Sequence, residues 1–295
     1  MATKTRGSPR QGSRPDGERL HTVRLDDERR LAYAEYGRSD GAPVVFLHGT
    51  PGSRRLGALL ETAARERGVR VLALDRPGYG RSSPWPNRSI GDAGRFVGAV
   101  LDDADAATAG LVAFSGGAPY ALATAATDGD RVDRVDVVSG ATPPAVSEET
   151  PATQRLLARL ATTTPAVLRG LFRGQAWLAD RLDPSVVVDQ YADDAESVPD
   201  DVADLVRADF VEAFARHRSG AVAEFRETAT DWGVDFDRID APVHLWHGED
   251  DANVPIADAR RLAAAMPTAR MHALDDADHL GALLRSVPDV LEGHR

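Results

Sequence analysis

Residues 111–121 read LVAFSGGAPYA, and the fold turns on what Ser115 is doing there. Residues 111–114 form a short apolar run of strand character, and residues 118–126 carry a helical pattern. Ser115 stands at the junction. A sharp strand-to-helix turn at this point lifts its hydroxyl clear of the sheet edge. The same turn brings strand and helix so close that the residues two before and two after the serine must be small, and they are Ala113 and Gly117. The N–H of Gly116 opens the new helix, where it is free to donate to a developing oxyanion. A serine between small residues can equally be a helix cap or a tight turn, so the flanking chain has to decide.

Upstream, residues 21–25 and 30–36 alternate apolar with polar side chains around Asp26–Asp27, the pattern of an antiparallel hairpin. Residues 43–47 and 69–74 are continuous apolar runs suited to strands buried on both faces, with a helical stretch at 56–66 between them. Residues 92–107 space Phe96, Val97, Val100 and Leu101 along one helical face. Downstream, 135–138 reads as a strand. Residues 143–235 break the alternation and read as helices, with Leu156, Leu171, Phe172, Trp177, Phe210 and Phe214 among their apolar positions. The alternation resumes with a strand at 243–246, a helix at 256–266, a strand at 270–274 and a helix at 280–291. Strands alternating with helices imply an α/β fold with a mostly parallel, doubly wound sheet. Its core comprises 20–142 and 236–295. Residues 143–235 are expected to form a helical lid over the carboxyl edge of the sheet, where open sheets bind ligands. Residues 1–19, polar and rich in Gly, Pro, Ser and Arg, are expected to be a disordered tail.

Composition narrows the function classes. The 295-residue chain has no cysteine, which excludes disulfides, zinc–thiolate sites, iron–sulfur clusters and a cysteine nucleophile. A formal net charge of -11 argues against a nucleic-acid partner. No run has the length of a membrane span or the apolar core of a signal peptide, so a cytoplasmic location is expected. The positive charge is nearly all arginine, with Lys4 as the sole lysine. This balance, with many aspartates, resembles that of proteins from salt-accumulating archaea; a GC-rich genome gives the same bias. No cofactor is expected. The glycines of DRPGYGRSS fail a dinucleotide fingerprint, because its third glycine would fall at Ser83. His244 and His247 are three apart on a strand and point to opposite faces, so they do not share a metal.

A serine hydroxyl is weakly nucleophilic and needs a base, and the base needs an orienting carboxylate. Both follow later strands. HGEDDANVP occupies 247–255 and DDADHL occupies 275–280. His279 lies past a strand end, where it can face Ser115, and the carboxylate is Asp250 or Asp251.

These stretches together resemble the α/β-hydrolase superfamily. GEDDANVP is similar to its G-x-x-D-x-x-V-P segment, which by residue match assigns the acid to Asp251. HGTPG at 48–52 resembles the H-G-x-P-G oxyanion loop, implying Thr50 N–H as the partner of Gly116 N–H. DRPGYGRSS at 75–83 resembles the D-x-x-G-x-G-x-S turn. AFSGG stands where the family's elbow reads G-x-S-x-G, with Ala113 for the first glycine. The branch resembled contains epoxide hydrolases, haloalkane dehalogenases and proline iminopeptidases. Ser115 replaces the aspartate nucleophile of the first two, and AFSGG differs from the G-G-S-W-G of the third. The resemblance implies a Ser115–Asp251–His279 triad hydrolysing a small ester or related carbonyl compound. The same triad also serves perhydrolysis, C–C hydrolysis or lyase chemistry, and the scaffold can carry a non-catalytic receptor.

Overall fold

The computed structural model describes residues 18–147 and 152–295. Residues 1–17 of the expected tail and 148–151 of the expected lid lie outside the described residues. The remaining two residues of the expected tail belong to the folded body. Arg19 opens the first strand, and Glu18 is buried with its carboxylate 2.6 Å from Arg54 Nε.

Eight strands build one sheet: β1 (Arg19–Arg24), β2 (Arg30–Gly37), β3 (Ala42–Leu47), β4 (Val69–Leu74), β5 (Ala109–Phe114), β6 (Val132–Val138), β7 (Val243–Gly248) and β8 (Ala269–Leu274). Their spatial order is β1-β2-β4-β3-β5-β6-β7-β8. The hairpin strands β1 and β2 run antiparallel, and the pairs from β4 to β8 are parallel. Successive side chains of a strand point to opposite faces. Accordingly Val44 and Phe46 of β3 enter one apolar cluster while Val45 and Leu47 enter the other. Both faces are covered, which is why β3, β4 and β5 read as unbroken apolar runs.

The helices are α1 (Glu61–Arg67), α2 (Ala93–Asp103), α3 (Ala118–Thr127), α4 (Ala152–Thr163), α5 (Pro165–Ala179), α6 (Ser185–Val188), α7 (Asp200–Ala213), α8 (Ser219–Glu227), α9 (Ile256–Ala264) and α10 (His279–Glu292). Two expected helices differ in detail. The stretch at 56–66 starts as a 3-10 helix, Arg54–Leu60, capped by the Ser53 side chain, before α1 continues it. The stretch at 92–107 stops at Asp103, because the chain reverses through Asp105 at φ +53°.

Helices α4 to α8 separate β6 from β7. Their inward residues Leu168, Phe172, Phe210 and Phe214 join the same apolar cluster as Phe46 and Phe114, so insertion and sheet share one core. Not every apolar residue of the insertion faces inward. Leu156, Leu171 and Trp177 are 56%, 51% and 58% exposed.

Candidate active site

The site begins with the turn after β5. Ser115 adopts φ +50°, a left-handed conformation uncommon for any residue but glycine. Non-glycine residues hold it only where their surroundings enforce it. The enforcement is visible on both sides. Ala113 is fully buried. A Cβ on Gly117 would stand 2.3 Å from the Leu47 carbonyl oxygen, so the position after next admits glycine alone. A Cβ on Gly116 would stand 3.0 Å from the Thr50 backbone nitrogen and 2.2 Å from Thr50 Oγ1. Thr50 and Gly116, the two donors expected from sequence, therefore face each other directly. Gly49, just before Thr50, also abuts the Ser115 side chain.

Of the two adjacent aspartates after β7, Asp250 is exposed and Asp251 is buried. Asp251 Oδ1 accepts from the backbone nitrogens of Asn253 and Val254, both at 2.9 Å, and Oδ2 lies 2.8 Å from His279 Nδ1. A carboxylate only accepts, so the pair holds the imidazole proton on Nδ1 and leaves Nε2 with its lone pair. Burial acts to raise the Asp251 carboxyl, but the His279 hydrogen bond leads the opposing effects that leave it below its ordinary value. His279 is buried at the start of α10, between the Phe114 ring at 4.9 Å and the Tyr191 ring at 6.3 Å. Phe114 immediately precedes Ser115, which sets serine and imidazole on the same sheet edge. Among the described residues the Ser115 hydroxyl makes no hydrogen bond, to His279 or to any other group. Such bonds are commonly long in an empty site and close when substrate binds.

Several further residues surround this centre, and among them Arg76 and Glu224 carried no assignment from sequence. His247 Nε2 lies 2.8 Å from the Val254 carbonyl oxygen and 3.3 Å from Asp251 Oδ2. The carbonyl requires a donor, so His247 presents Nε2–H and braces the carboxylate from behind. Its partner in the metal test, His244, points to the other face and stacks on His272. Arg76, fully buried, donates to the carbonyls of His48 and Gly49 and, at 3.1 Å, to Thr50 Oγ1. Glu224 of α8 completes this network. It accepts from Arg76 at 2.7 and 2.8 Å, from Arg88 at 3.0 Å, from Tyr79 at 2.7 Å and from Thr50 Oγ1 at 2.5 Å. The loop that carries Thr50 N–H is thereby tied to the insertion. His48 lies in the loop itself, with Nδ1 2.7 Å from the Gly49 carbonyl oxygen. Asp75 accepts from the backbone nitrogens of Arg54 and Arg81 and from the Arg54 guanidinium, which ties the turn after β4 to the 3-10 helix after β3.

A narrow cleft opens beside the centre. Gly49, Phe114 and Leu280 form one end of it, and they are the chain neighbours of Thr50, Ser115 and His279. Tyr191, Val206, Asp209 and Phe210 of the insertion form the facing wall. Among the described residues no group of His, Asp and Glu has the arrangement of a metal site.

Known proteins place the chain. The α/β hydrolase fold family matches residues 42–286. A 2-hydroxy-6-oxononadienedioate/2-hydroxy-6-oxononatrienedioate hydrolase of Cupriavidus pinatubonensis is 29% identical over 282 residues, covering 88% of this chain and 88% of that protein. A non-heme chloroperoxidase of Streptomyces lividans is 29% identical over 280 residues, covering 92% and 96%. Among solved structures, a bromoperoxidase from Bacillus anthracis superposes with a TM-score of 0.72 at 20% identity, covering 93% of this chain and 99% of that one. The first two align over most of the sequence and the third shares the fold. With this match spanning both halves of the sheet and the insertion between them, the chain belongs to the α/β-hydrolase family of enzymes.

Proposed function

We propose that the protein is a serine hydrolase acting on a small ester or related carbonyl substrate through an acyl-enzyme. Ser115 Oγ attacks the carbonyl carbon while His279 Nε2 takes its proton. Asp251 keeps the imidazole oriented and stabilises the imidazolium. Thr50 N–H and Gly116 N–H receive the oxyanion, each such donor being worth about 3–4 kcal/mol in the transition state. His279 returns the proton to the departing alcohol. Water then repeats the cycle on the acyl-enzyme and regenerates Ser115. The cycle calls on no cofactor.

The observation that carries this reading is the buried Asp251–His279 hydrogen bond, 2.8 Å long, on the sheet edge where Ser115 is held at φ +50°. The insertion acts as the lid, since it supplies one wall of the cleft and anchors the oxyanion loop through Glu224. The Cupriavidus relative is named for a dioate substrate. Here Asp209 is the only charged side chain on the cleft among the described residues, which favours a neutral or cationic substrate over a dianionic one. Among the described residues no helix is long and apolar enough to cross a membrane.

The test uses a short p-nitrophenyl ester and a fluorophosphonate probe. Wild-type protein should turn over the ester and take the label at Ser115. Ser115→Ala should lose the label and at least about 10³-fold in kcat. A Ser115→Ala protein with wild-type turnover would sink the nucleophile assignment.

A further inference from the structure

Asp209 does not fit the chemistry of the cleft it lines. It sits on α7, only 4% exposed, in a cleft lined mainly by apolar residues, Gly49, Pro51, Leu56, Phe114 and Val206 among them, with Tyr191 as the other polar group. All of its hydrogen bonds fall on one oxygen. Oδ1 accepts from Ser53 N at 2.8 Å, Ser53 Oγ at 2.6 Å and Leu56 N at 3.1 Å. Oδ2 accepts from nothing among the described residues, and no arginine or histidine pairs with it there. Burial pushes the carboxyl up to about 7, and the Ser53 and Leu56 bonds offset only part of that rise.

Anchoring the Ser53–Leu56 turn explains Oδ1 and leaves Oδ2 unexplained. An asparagine would hold the same turn through its carbonyl oxygen without the cost of burying a carboxylate. Unlike the enclosed orphan atoms of the core, Oδ2 stays open to the cleft. A donor entering the cleft can therefore reach it without disturbing the Ser53 and Leu56 bonds. Burial keeps the hydroxyl of Tyr191, the other polar side chain on the wall, protonated, and the nearby Asp209 carboxyl adds to that. Tyr191 therefore presents a neutral neighbour and not a competing cation.

We propose that Asp209 determines specificity: its free Oδ2 accepts a hydrogen bond from a hydroxyl or ammonium group of the substrate. The site then selects acyl groups carrying a hydrogen-bond donor near the scissile carbonyl over plain alkyl groups, and disfavours acyl groups carrying a carboxylate. This deepens the serine-hydrolase reading and rests on it for the location of the scissile bond.

The test compares p-nitrophenyl butyrate, β-hydroxybutyrate, β-aminobutyrate and hemisuccinate with wild-type and Asp209→Asn protein at a pH well above 7, where the Asp209 carboxyl is ionised and Oδ2 can only accept. Asparagine keeps an oxygen for Ser53 and Leu56 but turns an N–H toward the cleft. The readout is the ratio of kcat/KM between substrates within each protein, so a change in folded fraction cancels. Wild type should prefer the hydroxy and amino esters to butyrate by about tenfold, the worth of one hydrogen bond, with hemisuccinate the poorest. Asp209→Asn should bring these ratios to near unity or below. Equal ratios in wild type, or an unchanged preference in Asp209→Asn, would overturn the proposal. A second arm measures binding of butyramide and β-hydroxybutyramide to Ser115→Ala protein by calorimetry. Tighter binding of the hydroxyamide supports the proposal even where no ester is turned over, an outcome that would strike the hydrolase reading alone. Equal affinities in that arm count against Asp209 whatever the esters do.

Discussion

Two carboxylates reach from the insertion into the core, Glu224 on α8 and Asp209 on α7, and solvent hardly touches either. Their surroundings drive them in opposite directions. Burial acts to raise both. At Glu224 the buried guanidinium groups of Arg76 and Arg88, with the Thr50 hydroxyl, more than reverse it, and the carboxyl falls below its ordinary value. Both Glu224 oxygens are occupied by donors. At Asp209 no cation forms an ion pair among the described residues, one oxygen is idle and the carboxyl rises to about 7. Burial alone therefore says little about what a buried charge is for. A fully partnered carboxylate works as a fastener, and a half-partnered one on the cleft beside Ser115 is free to meet a ligand.

The largest expected effect lies on the Glu224 side. Glu224→Ala leaves Arg76 and Arg88 buried without their shared counter-charge, which should cost about 3–5 kcal/mol of unfolding free energy. Denaturant unfolding measures it. A loss below about 1 kcal/mol, typical of a surface ion pair, would erase the distinction drawn between the two groups.

The pH response should separate the two groups further. Asp209 binds its proton up to about pH 7 in the folded state and only to its ordinary value of 3.8 when unfolded. Its contribution to stability is therefore fully present below pH 3.8 and is lost as pH rises toward 7. Glu224 has the opposite sign. Its contribution is present above its ordinary value of 4.5 and is lost as pH falls below that. The unfolding free energy of wild type minus that of Asp209→Asn should decline by about 4 kcal/mol across the Asp209 window. A flat difference would mean that Asp209 is less buried, or better partnered, than its surroundings indicate.

Salt gives the smallest contrast. Buried pairs are screened far less than exposed charges. The Glu224→Ala deficit should therefore stay within about 0.5 kcal/mol between dilute buffer and molar KCl. Over the same titration the wild-type melting temperature should rise as salt screens the -11 net charge. A wild-type melting temperature indifferent to KCl would remove any link between this surface and a saline host.

The centre of the candidate site was legible because its constraints are local. A serine at a strand–helix junction needs small neighbours, and Ala113, Gly116 and Gly117 announce that in five consecutive residues. Strand periodicity then places 247–255 and 275–280 at the same sheet edge, and the structure brings Asp251 and His279 into contact there. The choice of Asp251 over Asp250 came from family resemblance, because two adjacent aspartates in a turn carry the same chemistry. The insertion was legible only as helix. Asp200, Asp201, Asp204, Asp209 and Glu212 share α7, and nothing in their spacing marks Asp209 as the one facing the cleft. Leu171 and Phe172 are neighbours in sequence, yet one is exposed and the other buried.

The amino-acid order by itself determined the alternation of strands and helices, the turn that raises Ser115 and the absence of cysteine chemistry, since each depends on backbone geometry or composition within a few residues. Only the tertiary structure decided that Glu224 fastens the loop carrying Thr50 and that Asp209 Oδ2 stands without a donor beside it among the described residues. Glu224 lies 148 positions along the chain from Arg76, and Asp209 is 156 from Ser53. Whether a carboxylate meets a guanidinium or an empty cleft is settled by which distant helix face the packing turns toward it.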